Sequence, residues 1–387
     1  MKTMKIGIIG VGGRGAHAFN AHHPEQGVEI VAGADVSSKA LAAFREKFPD
    51  AQAFEHYQEM LALPLDAVFV MSPDFLHEEH GLAVLNAGKA LYLEKPMAIT
   101  IEGCDRLLET AMATGAKLFV GHNMRYFPVV LQMKEIIDSG LIGEIRAGWC
   151  RHFINYGGDA YFHDWHSERR NTTGLLLQKG AHDMDVMHWL MGSYTQSVVG
   201  MGSLSVYDKC QRRSPDQPGC AQWSDENWPP LAQTEMSPVI DVEDHNMVLM
   251  QLASGAQAAY LQCHYAPDAE RNYTFIGTRG RVENIGDSGN CQVHVWTRRG
   301  PRSTPDIIYN LKEKSGNHGG SDPEAVQNFI DFVRDGKPTN VSPVAARNVV
   351  AVGVLAHDSM RTDNGRRDIP PLPEALVRYF EAGQCRK

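Results

Sequence analysis

Lys5-Ile6-Gly7-Ile8-Ile9-Gly10-Val11-Gly12-Gly13-Arg14-Gly15 is the stretch that decides the fold of this chain. No residue from Ile6 to Gly10 has a polar side chain, which predicts a parallel strand covered on both faces. The glycines match G-x-G-x-x-G, a turn that lets the backbone approach a pyrophosphate at the start of a helix. Asp35 follows the second predicted strand, 28–34, where a carboxylate accepts hydrogen bonds from ribose hydroxyls. The pattern predicts dinucleotide binding, and a glycine turn that only packs is the alternative.

The hydrophobic pattern changes along the chain and predicts two domains. Short apolar strands alternate with helical segments over the first 120 or so residues, which indicates a parallel, doubly wound sheet. Longer segments of alternating hydrophobicity follow, such as 198–207 and 245–252, and indicate an open, mainly antiparallel sheet with helices on one face. The prediction is an α/β chain: a Rossmann domain over 1–123, then a substrate-binding and oligomerisation α+β domain over 124–387, whose C-terminal helices can pack back on the first. Residues 208–239 lack periodicity, which predicts a functional, interface or mobile loop.

Composition excludes several classes of protein. A formal net charge of -9 argues against nucleic acid or an anionic membrane surface as the main partner. No segment approaches the roughly 20 apolar residues of a membrane span. The first five residues lead directly into a strand, so we expect no signal peptide and a cytoplasmic protein. The cysteines are scattered and form no C-x-x-C pair, which predicts neither a disulfide framework nor a metal site.

Two further turns at predicted strand ends are candidates for the cofactor cleft. Glu94-Lys95-Pro96 follows the apolar strand 90–94, and ligands bind at the carboxyl ends of such strands. Proline biases Lys95 toward extended backbone and leaves the Lys95–Pro96 bond open to the cis form. Ser72-Pro73-Asp74-Phe75-Leu76-His77 follows another strand. It is predicted to line the same cleft, although its proline and aspartate would also serve simply to cap the next helix.

These motifs together resemble the glucose–fructose oxidoreductase / inositol dehydrogenase (Gfo/Idh/MocA) family over essentially the whole chain. The shared features, in order, are the glycine turn, Asp35, the Ser72–His77 turn, Glu94-Lys95-Pro96, Gly121-His122-Asn123-Met124-Arg125-Tyr126, Gly277-Thr278-Arg279-Gly280-Arg281 and Asn317-His318-Gly319-Gly320-Ser321-Asp322. The resemblance implies a nicotinamide-dependent oxidoreductase acting on a hydroxyl of a sugar, polyol or related ring, and a homodimer or homotetramer. NAD is favoured over NADP because Asp35 would repel a 2′-phosphate and no arginine follows it directly. The residues expected to bind the cofactor are Gly10, Gly12, Gly13, Arg14, Gly15, Asp35, Ser72, Pro73, Asp74, His77, Glu94, Lys95 and Asn123.

The family places an acidic residue four positions before a catalytic histidine at the start of a helix. Here the histidine matches His182, but Gln178 occupies the earlier position and Lys179 follows it. An amide orients a hydroxyl but cannot take its proton. Proton transfer is therefore expected to fall to Lys95 and His182, with Gln178 as an orienting group. A helix-capping or core histidine is the alternative for His182.

Residues 156–170 form a polar-aromatic stretch of the composition that a sugar pocket uses. Tyr156, Trp165 and His166 are its candidate substrate ligands. The alternative is a long loop in which Trp165 packs and the charges are solvated. Together with Arg125, Tyr126, Lys179 and His182, they complete the predicted substrate-binding set.

Three functions are compatible with these residues. The first is an NAD-dependent oxidoreductase of a sugar, polyol or sugar derivative. The second is an NAD-dependent glycoside hydrolase that works by transient oxidation, elimination, water addition and re-reduction. It is suggested by Gln178 and by the tyrosines and histidines of the predicted pocket. The third is a regulatory protein that binds NAD without turnover, against which Lys95 and His182 argue.

Overall fold

The computed structural model describes residues 2–219, 223–224, 226–312 and 320–385. Within them the chain divides into two compact units. The first unit comprises Met1–Tyr126, Gly320–Val350 and Pro371–Lys387, and the second unit comprises Phe127–Gly319 and Ala351–Pro370. Residues 317–319 of the family-like motif lie outside the described residues. The predicted boundary at residue 123 stays a prediction.

A six-stranded parallel sheet forms the centre of the first unit, as predicted. The spatial order β3-β2-β1-β4-β5-β6 is that of a Rossmann sheet. The first three strands extend from β1 to one edge of the sheet, and β4 to β6 extend from β1 to the other edge. Apart from the edge strand β3, the strands are mostly buried because helices cover both faces. The six strands are β1 (Met4–Ile9), β2 (Val28–Ala34), β3 (Gln52–Phe54), β4 (Ala67–Val70), β5 (Ala90–Leu93) and β6 (Leu118–Val120).

Aromatic side chains fill the core on one face of this sheet. Tyr92 on β5 stacks between Phe69 on β4 and Phe119 on β6, with ring centroids 4.7 and 5.2 Å away. Phe329, from a C-terminal helix, meets the Tyr92 ring edge-on. A C-terminal segment thus completes the first hydrophobic core. The helices of this unit are α1 (Ser38–Lys47), α2 (Tyr57–Leu61), α3 (His77–Asn86) and α4 (Ile101–Thr114), followed after the second unit by α9 (Asp322–Asp335) and α11 (Glu374–Glu381).

The segment after the glycine turn, Gly13–Ala21, is helical as the sequence pattern predicts, and it is a 3-10 helix. A physical reason lies in the partners of Arg14 and His17. Both side chains reach Asp322, with Arg14 Nη1 2.7 Å and His17 Nδ1 3.4 Å from its carboxylate. Residues three apart point the same way in a 3-10 helix, because it has three residues per turn.

The second unit is built on a nine-stranded sheet in the order β14-β13-β12-β11-β7-β10-β9-β8-β15. Its pairings are antiparallel except that β10 runs parallel to the central β7, which confirms a mainly antiparallel sheet. The strands are β7 (Ile145–Phe153), β8 (Thr195–Ser203), β9 (His245–Leu252), β10 (Gln257–Cys263), β11 (Glu270–Gly277), β12 (Arg281–Ile285), β13 (Gln292–Trp296), β14 (Ile307–Asn310) and β15 (Arg367–Asp368).

One long buried helix, α8 (Leu175–Met191), packs on this sheet, where it contacts β7 and β10. It begins after Gly174, where a Cβ atom would lie 2.1 Å from the His357 ring, so only glycine allows this approach. The other helices are α5 (Pro128–Asp138), α6 (Gly157–Tyr161), α7 (Arg169–Thr172) and α10 (Pro343–Thr362), the last divided between the units at Val350. Among the described residues, every helix is too short or too polar to cross a bilayer.

Candidate active site

The glycine turn has the close backbone packing that its sequence predicts. Gly10 adopts φ +88°, and a Cβ atom there would lie 2.9 Å from the carbonyl carbon of Met71. A Cβ atom on Gly15 would lie 2.2 Å from the Gly10 carbonyl oxygen. These positions tolerate only glycine, and this close backbone packing is what a dinucleotide-binding turn requires.

Asp35 stands beside this turn at the end of β2. Its Oδ2 accepts hydrogen bonds from the backbone N–H groups of Val11 and Gly12, at 3.0 and 3.1 Å, and its Oδ1 accepts one from Ser37 at 2.8 Å. A carboxylate has about four lone-pair positions, so these bonds fix its orientation while leaving acceptor capacity. The residues therefore fit a dinucleotide whose ribose lies next to Asp35.

The turn that contains Lys95 is held by buried groups of the first unit. Glu94 Oε2 accepts a hydrogen bond from the backbone N–H of Lys95 at 2.5 Å, and Glu94 Oε1 accepts one from Arg14 Nε at 2.6 Å. Burial alone would raise the pKa of Glu94, but the charges of Arg14 and Lys95 outweigh it and lower that pKa to about 2. The Lys95–Pro96 peptide bond is cis.

His77 joins the two predicted turns to each other. Its Nδ1 lies 2.6 Å from the Pro96 carbonyl oxygen and its Nε2 lies 2.8 Å from the Ser72 carbonyl oxygen. Burial lowers the pKa of His77, and a neutral ring donates to only one of these two carbonyl oxygens. Both ring nitrogens face protein carbonyls, which makes His77 a brace for the Lys95 turn. Pro73 and Asp74 lie in the braced turn, and Asp74 is buried.

Asp322, on α9, accepts hydrogen bonds from two residues of the predicted cofactor-binding set. Arg14 donates to it, and Asn123 Nδ2 donates to its Oδ1 at 2.6 Å. Two residues predicted to bind substrate are also engaged within the first unit: Arg125 donates to the Asn340 carbonyl and Tyr126 donates to Asn328, at 2.5 and 2.6 Å. These bonds give Arg125 and Tyr126 a structural role, and their contact with substrate stays a prediction.

In the second unit, α8 carries Gln178, Lys179 and His182, all buried. The next residue, Asp183, is the centre of a buried network. Its carboxylate receives Tyr260 OH at 2.9 Å, Arg271 Nε at 2.9 Å and Tyr273 OH at 2.5 Å, and it lies 2.8 Å from His152 Nδ1. Asp183 is the ninth residue of α8, so these contacts anchor the middle of the helix to the sheet.

Burial and neighbouring charges set the protonation states of Asp183 and His152 in this network. Burial would raise the pKa of Asp183, but the interactions with His152 and Arg271 and the donated bonds hold it well below its ordinary value. Burial and the nearby Arg271 lower the pKa of His152 to about 4. Asp183 is therefore an anion balanced by Arg271, while His152 is a neutral donor at neutral pH.

Aromatic rings surround Lys179. Its Nζ lies 5.6 Å from the ring centroid of Tyr156 and 5.7 Å from that of Tyr161, within cation–π range. The Tyr161 ring also meets His166 and His264 edge-on, at 5.3 and 5.4 Å. The predicted substrate residues Tyr156, His166 and Lys179 thus cluster around Tyr161, which the sequence interpretation did not single out.

The pair Trp165 and His166 is stacked, with ring centroids 3.7 Å apart. Asp164 Oδ1 lies 2.5 Å from His166 Nδ1 and also accepts the His166 backbone N–H at 3.0 Å, which fixes the ring. The long segment 208–239 is fastened to the same region, since Ser237 Oγ donates to the Asp164 carbonyl and Trp223 lies 5.4 Å from Tyr156.

Comparison with known proteins agrees with this architecture. Residues 4–122 match a family model described as the NAD-binding Rossmann fold of the Gfo/Idh/MocA oxidoreductase family, and residues 134–366 match its C-terminal alpha/beta domain. The chain belongs to the Gfo/Idh/MocA oxidoreductase family. The resemblance and the fold class are confirmed, and the matched family model describes the first domain as an NAD-binding Rossmann fold.

Several dehydrogenases are similar to this Gfo/Idh/MocA chain. An inositol 2-dehydrogenase of Klebsiella pneumoniae is 33% identical over 200 residues, which are 51% of this chain and 57% of that protein. A 1-carboxy-3-chloro-3,4-dihydroxycyclohexa-1,5-diene dehydrogenase of Comamonas testosteroni is 31% identical over 191 residues, 48% of this chain and 47% of that protein. The chain thus spans about half the length of these curated relatives.

Solved structures show the same fold over nearly the whole chain. Levoglucosan dehydrogenase, in complex with NADH and levoglucosan, superposes with a TM-score of 0.78 at 17% identity, covering 96% of this chain and 100% of that one. The scyllo-inositol dehydrogenase of Lactobacillus casei gives a TM-score of 0.71 at 21% identity, covering 95% and 98%. At these identities the likeness supports the fold and leaves substrate open.

Sequence reasoning missed several polar groups under α8, although a signal was present. Tyr260, Gln262 and His264 recur at every second position along and just after β10, and Arg271 and Tyr273 do so on β11. Side chains two apart share one face of a strand. Polar groups at such inward positions are buried and need partners, so this alternation marks a polar site on the sheet.

Proposed function

We propose that this protein is an NAD-dependent dehydrogenase that interconverts a hydroxyl and a ketone on a sugar, polyol or sugar derivative. The observation that carries the proposal is the presence of Lys95, held at the end of β5 by Glu94 and His77, in a chain that also has His182 on α8. The names of the inositol and levoglucosan dehydrogenases among its relatives support the substrate class.

The residues divide the chemistry as follows. The nicotinamide, when bound, supplies the redox step. The glycine turn and Asp35 hold the dinucleotide. Lys95 and His182 move the proton of the reacting hydroxyl, because Gln178 can orient that hydroxyl but cannot deprotonate it. Tyr156, Trp165 and His166 position the ring.

Incubation with NAD and panels of free sugars, polyols and aryl glycosides tests this proposal. NADH that forms in proportion to substrate consumed is the expected result. Aglycone release with less than one equivalent of NAD, accompanied by solvent deuterium in the ring, would instead establish redox-neutral glycoside cleavage. NAD binding without turnover of any panel member would favour a regulatory protein.

We predict that Asp35→Asn weakens discrimination against NADP. The amide still accepts hydrogen bonds from Val11 and Gly12 but lacks the charge that repels a 2′-phosphate. The ratio of kcat/KM for NAD to that for NADP should fall by about tenfold, which corresponds to about 1.4 kcal/mol. Steady-state kinetics with both cofactors measures this ratio. A wild-type enzyme that uses NADP as well as NAD would contradict the assignment.

We also propose that the protein is a homodimer or homotetramer that associates through the open sheet of the second unit. Met201 on β8 pairs directly with Met247 on β9, and Leu249 lies two residues along on the same face. Their exposed fractions are 60, 56 and 62%. Contiguous exposed apolar side chains of this kind are characteristic of protein interfaces.

The predicted consequence is that Leu249→Glu dissociates the oligomer, because the variant would bury a charge without a partner. Light scattering coupled to size-exclusion chromatography should show a wild-type oligomer and a monomeric variant at micromolar concentration. Leu231→Glu is the matched control, since Leu231 is 58% exposed in a loop outside the sheet. A monomeric wild type would contradict the proposal.

A further inference from the structure

The Arg14 side chain, in the glycine turn, bridges two buried carboxylates that come from distant parts of the first unit. Its Nε donates to Glu94 Oε1 at 2.6 Å, and its Nη1 and Nη2 donate to Asp322 Oδ2 and Oδ1 at 2.7 and 3.3 Å. The side chains of Glu94 and Asp322 are only 6 and 10% exposed. At least three of the five guanidinium N–H groups are thus used inside the protein, although the sequence pattern places Arg14 in the cofactor-binding set.

Glu94 needs this guanidinium because it is an anion in a buried position. Burial would raise the pKa of Glu94, and the charge of Arg14 is the strongest of the interactions that lower that pKa. A buried carboxylate without a partner is costly, and it commonly takes up a proton instead. Arg14 therefore keeps Glu94 charged and in place.

The other oxygen of Glu94 holds the backbone of Lys95. Its Oε2 accepts the Lys95 N–H at 2.5 Å, and His77 Nδ1 lies 2.6 Å from the Pro96 carbonyl oxygen. The Pro96 side of the turn thus contacts a histidine through a backbone oxygen, whereas the Lys95 side depends on an ion pair. The position of Lys95 therefore depends on the guanidinium that fixes Glu94.

Asp322 fixes the far end of the same guanidinium. It is the first residue of α9, where the helix dipole favours an acid, and its Oδ1 also accepts Asn123 Nδ2 at 2.6 Å. An arginine whose planar fork is held by two acids has little freedom to turn. The chain of contacts from Asp322 to Lys95 lies within the first unit, and every link is within hydrogen-bond distance.

We propose that Arg14 and Asp322 are positioning residues for Lys95, so that the Arg14 side chain serves catalysis rather than binding of the pyrophosphate. The guanidinium acts through Glu94, whose carboxylate fixes the Lys95 backbone. This inference rests on the proposed dehydrogenase function, in which Lys95 moves the proton of the reacting hydroxyl.

Arg14→Met tests the inference by separating kcat from NAD affinity. The kcat should fall by about 10- to 100-fold while the Kd for NAD stays within about threefold, because a misplacement of about 1 Å near the reacting atoms costs up to this much. Arg14→Lys should recover only part of the loss, since an ammonium is a point charge that cannot span both acids. A tenfold or larger rise in the Kd at unchanged kcat would make Arg14 a pyrophosphate ligand and overturn the proposal.

Combined variants show whether Arg14 acts through these partners. Asp322→Asn retains an acceptor oxygen for Asn123 but presents an amide N–H₂ group to Arg14, so it should also lower kcat. Arg14→Met with Asp322→Asn should cost no more than the larger single loss, because both changes act through one guanidinium. In a Lys95→Met background, Arg14→Met should have little further effect on kcat, whereas a residue with a general structural role would lower kcat again. Additive losses in either test would overturn the proposal.

Arg347→Met is the matched control, since Arg347 on α10 forms a buried ion pair with Asp105 on α4 in the same unit, with Nε 2.7 Å from Oδ1. Loss of this pair should lower the Tm but leave kcat within about twofold. Hydrogen exchange at the Lys95 amide, resolved by fragmentation mass spectrometry, gives a readout that does not need turnover. The exchange should be about tenfold faster or more in Arg14→Met and unchanged in Arg347→Met, because only the first change frees Glu94.

The two readouts distinguish failure of this inference from failure of the proposed function. If no substrate is oxidised but Lys95 exchange is faster in Arg14→Met, the dehydrogenase proposal fails and the control of the Lys95 backbone by Arg14 stands. Turnover by the wild type with unchanged Lys95 exchange in Arg14→Met would instead overturn the positioning role.

Discussion

Lys95→Met is expected to lower kcat by about 10³-fold, within the range that a positioned proton-transfer group contributes. Methionine retains the unbranched stem of the side chain, one heavy atom shorter, and removes the amine. The backbone N–H of residue 95 still donates to Glu94, and His77 still braces the Pro96 carbonyl. The turn should therefore keep its shape, and NAD affinity should change little. His182→Ala should produce a loss of similar size, because Gln178 has no proton-transfer capacity to replace it.

Lys89→Met is the matched control for Lys95→Met. Lys89 lies at the amino end of the same strand, β5, where its Nζ donates to the Leu63 carbonyl at 2.8 Å. Ligands bind at the opposite, carboxyl end of parallel strands, so this variant should retain kcat within about twofold. Stopped-flow and steady-state NADH formation measure kcat, and quenching of protein fluorescence measures NAD affinity. Full activity in both Lys95→Met and His182→Ala would make the catalytic assignment wrong.

The first unit was predictable from the sequence because its signals are local. The strand before Gly10 is continuously apolar, and the turn glycines and Asp35 follow at strand ends. The ion pair between Arg14 and Asp322 on α9 was harder to predict from the sequence, because the two residues are 308 positions apart and meet only in the folded chain. That contact also accompanies the 3-10 form of the helix over Gly13–Ala21.

The buried polar network around Asp183 in the second unit was only partly predictable from the sequence, because it depends on the register of the strands. His152 lies on β7, where it pairs with Gln262 on β10 at one side and with Arg271 on β11 at the other. Each of these pairings joins residues more than 100 positions apart, and one of them is parallel while the other is antiparallel. Helical periodicity and the family motif locate Gln178, Lys179 and His182, but they carry no information about which sheet residues lie beneath them.

Asp183→Ala tests the network that this register creates, and it should have the largest effect on stability. Removing the carboxylate leaves Arg271 as a buried charge and deprives Tyr260, Tyr273 and His152 of their shared acceptor. Breaking a buried ion pair in this way costs about 3–5 kcal/mol. The loss should appear as a lower Tm and a lower denaturant midpoint.

A double-mutant cycle separates the ion pair from general damage to the core. Asp183→Ala combined with Arg271→Met should be less destabilising than the sum of the two single changes, because the second change removes the charge that the first leaves unpaired. Asp363→Ala is the control: its side chain is 66% exposed and pairs with Arg367 on the surface, so its loss should barely change the Tm. A change that small for Asp183→Ala would show that the network is dispensable for folding. A large cost relieved in the double variant would instead identify the Asp183–Arg271 pair as the anchor that holds the middle of α8, and with it His182, against the sheet.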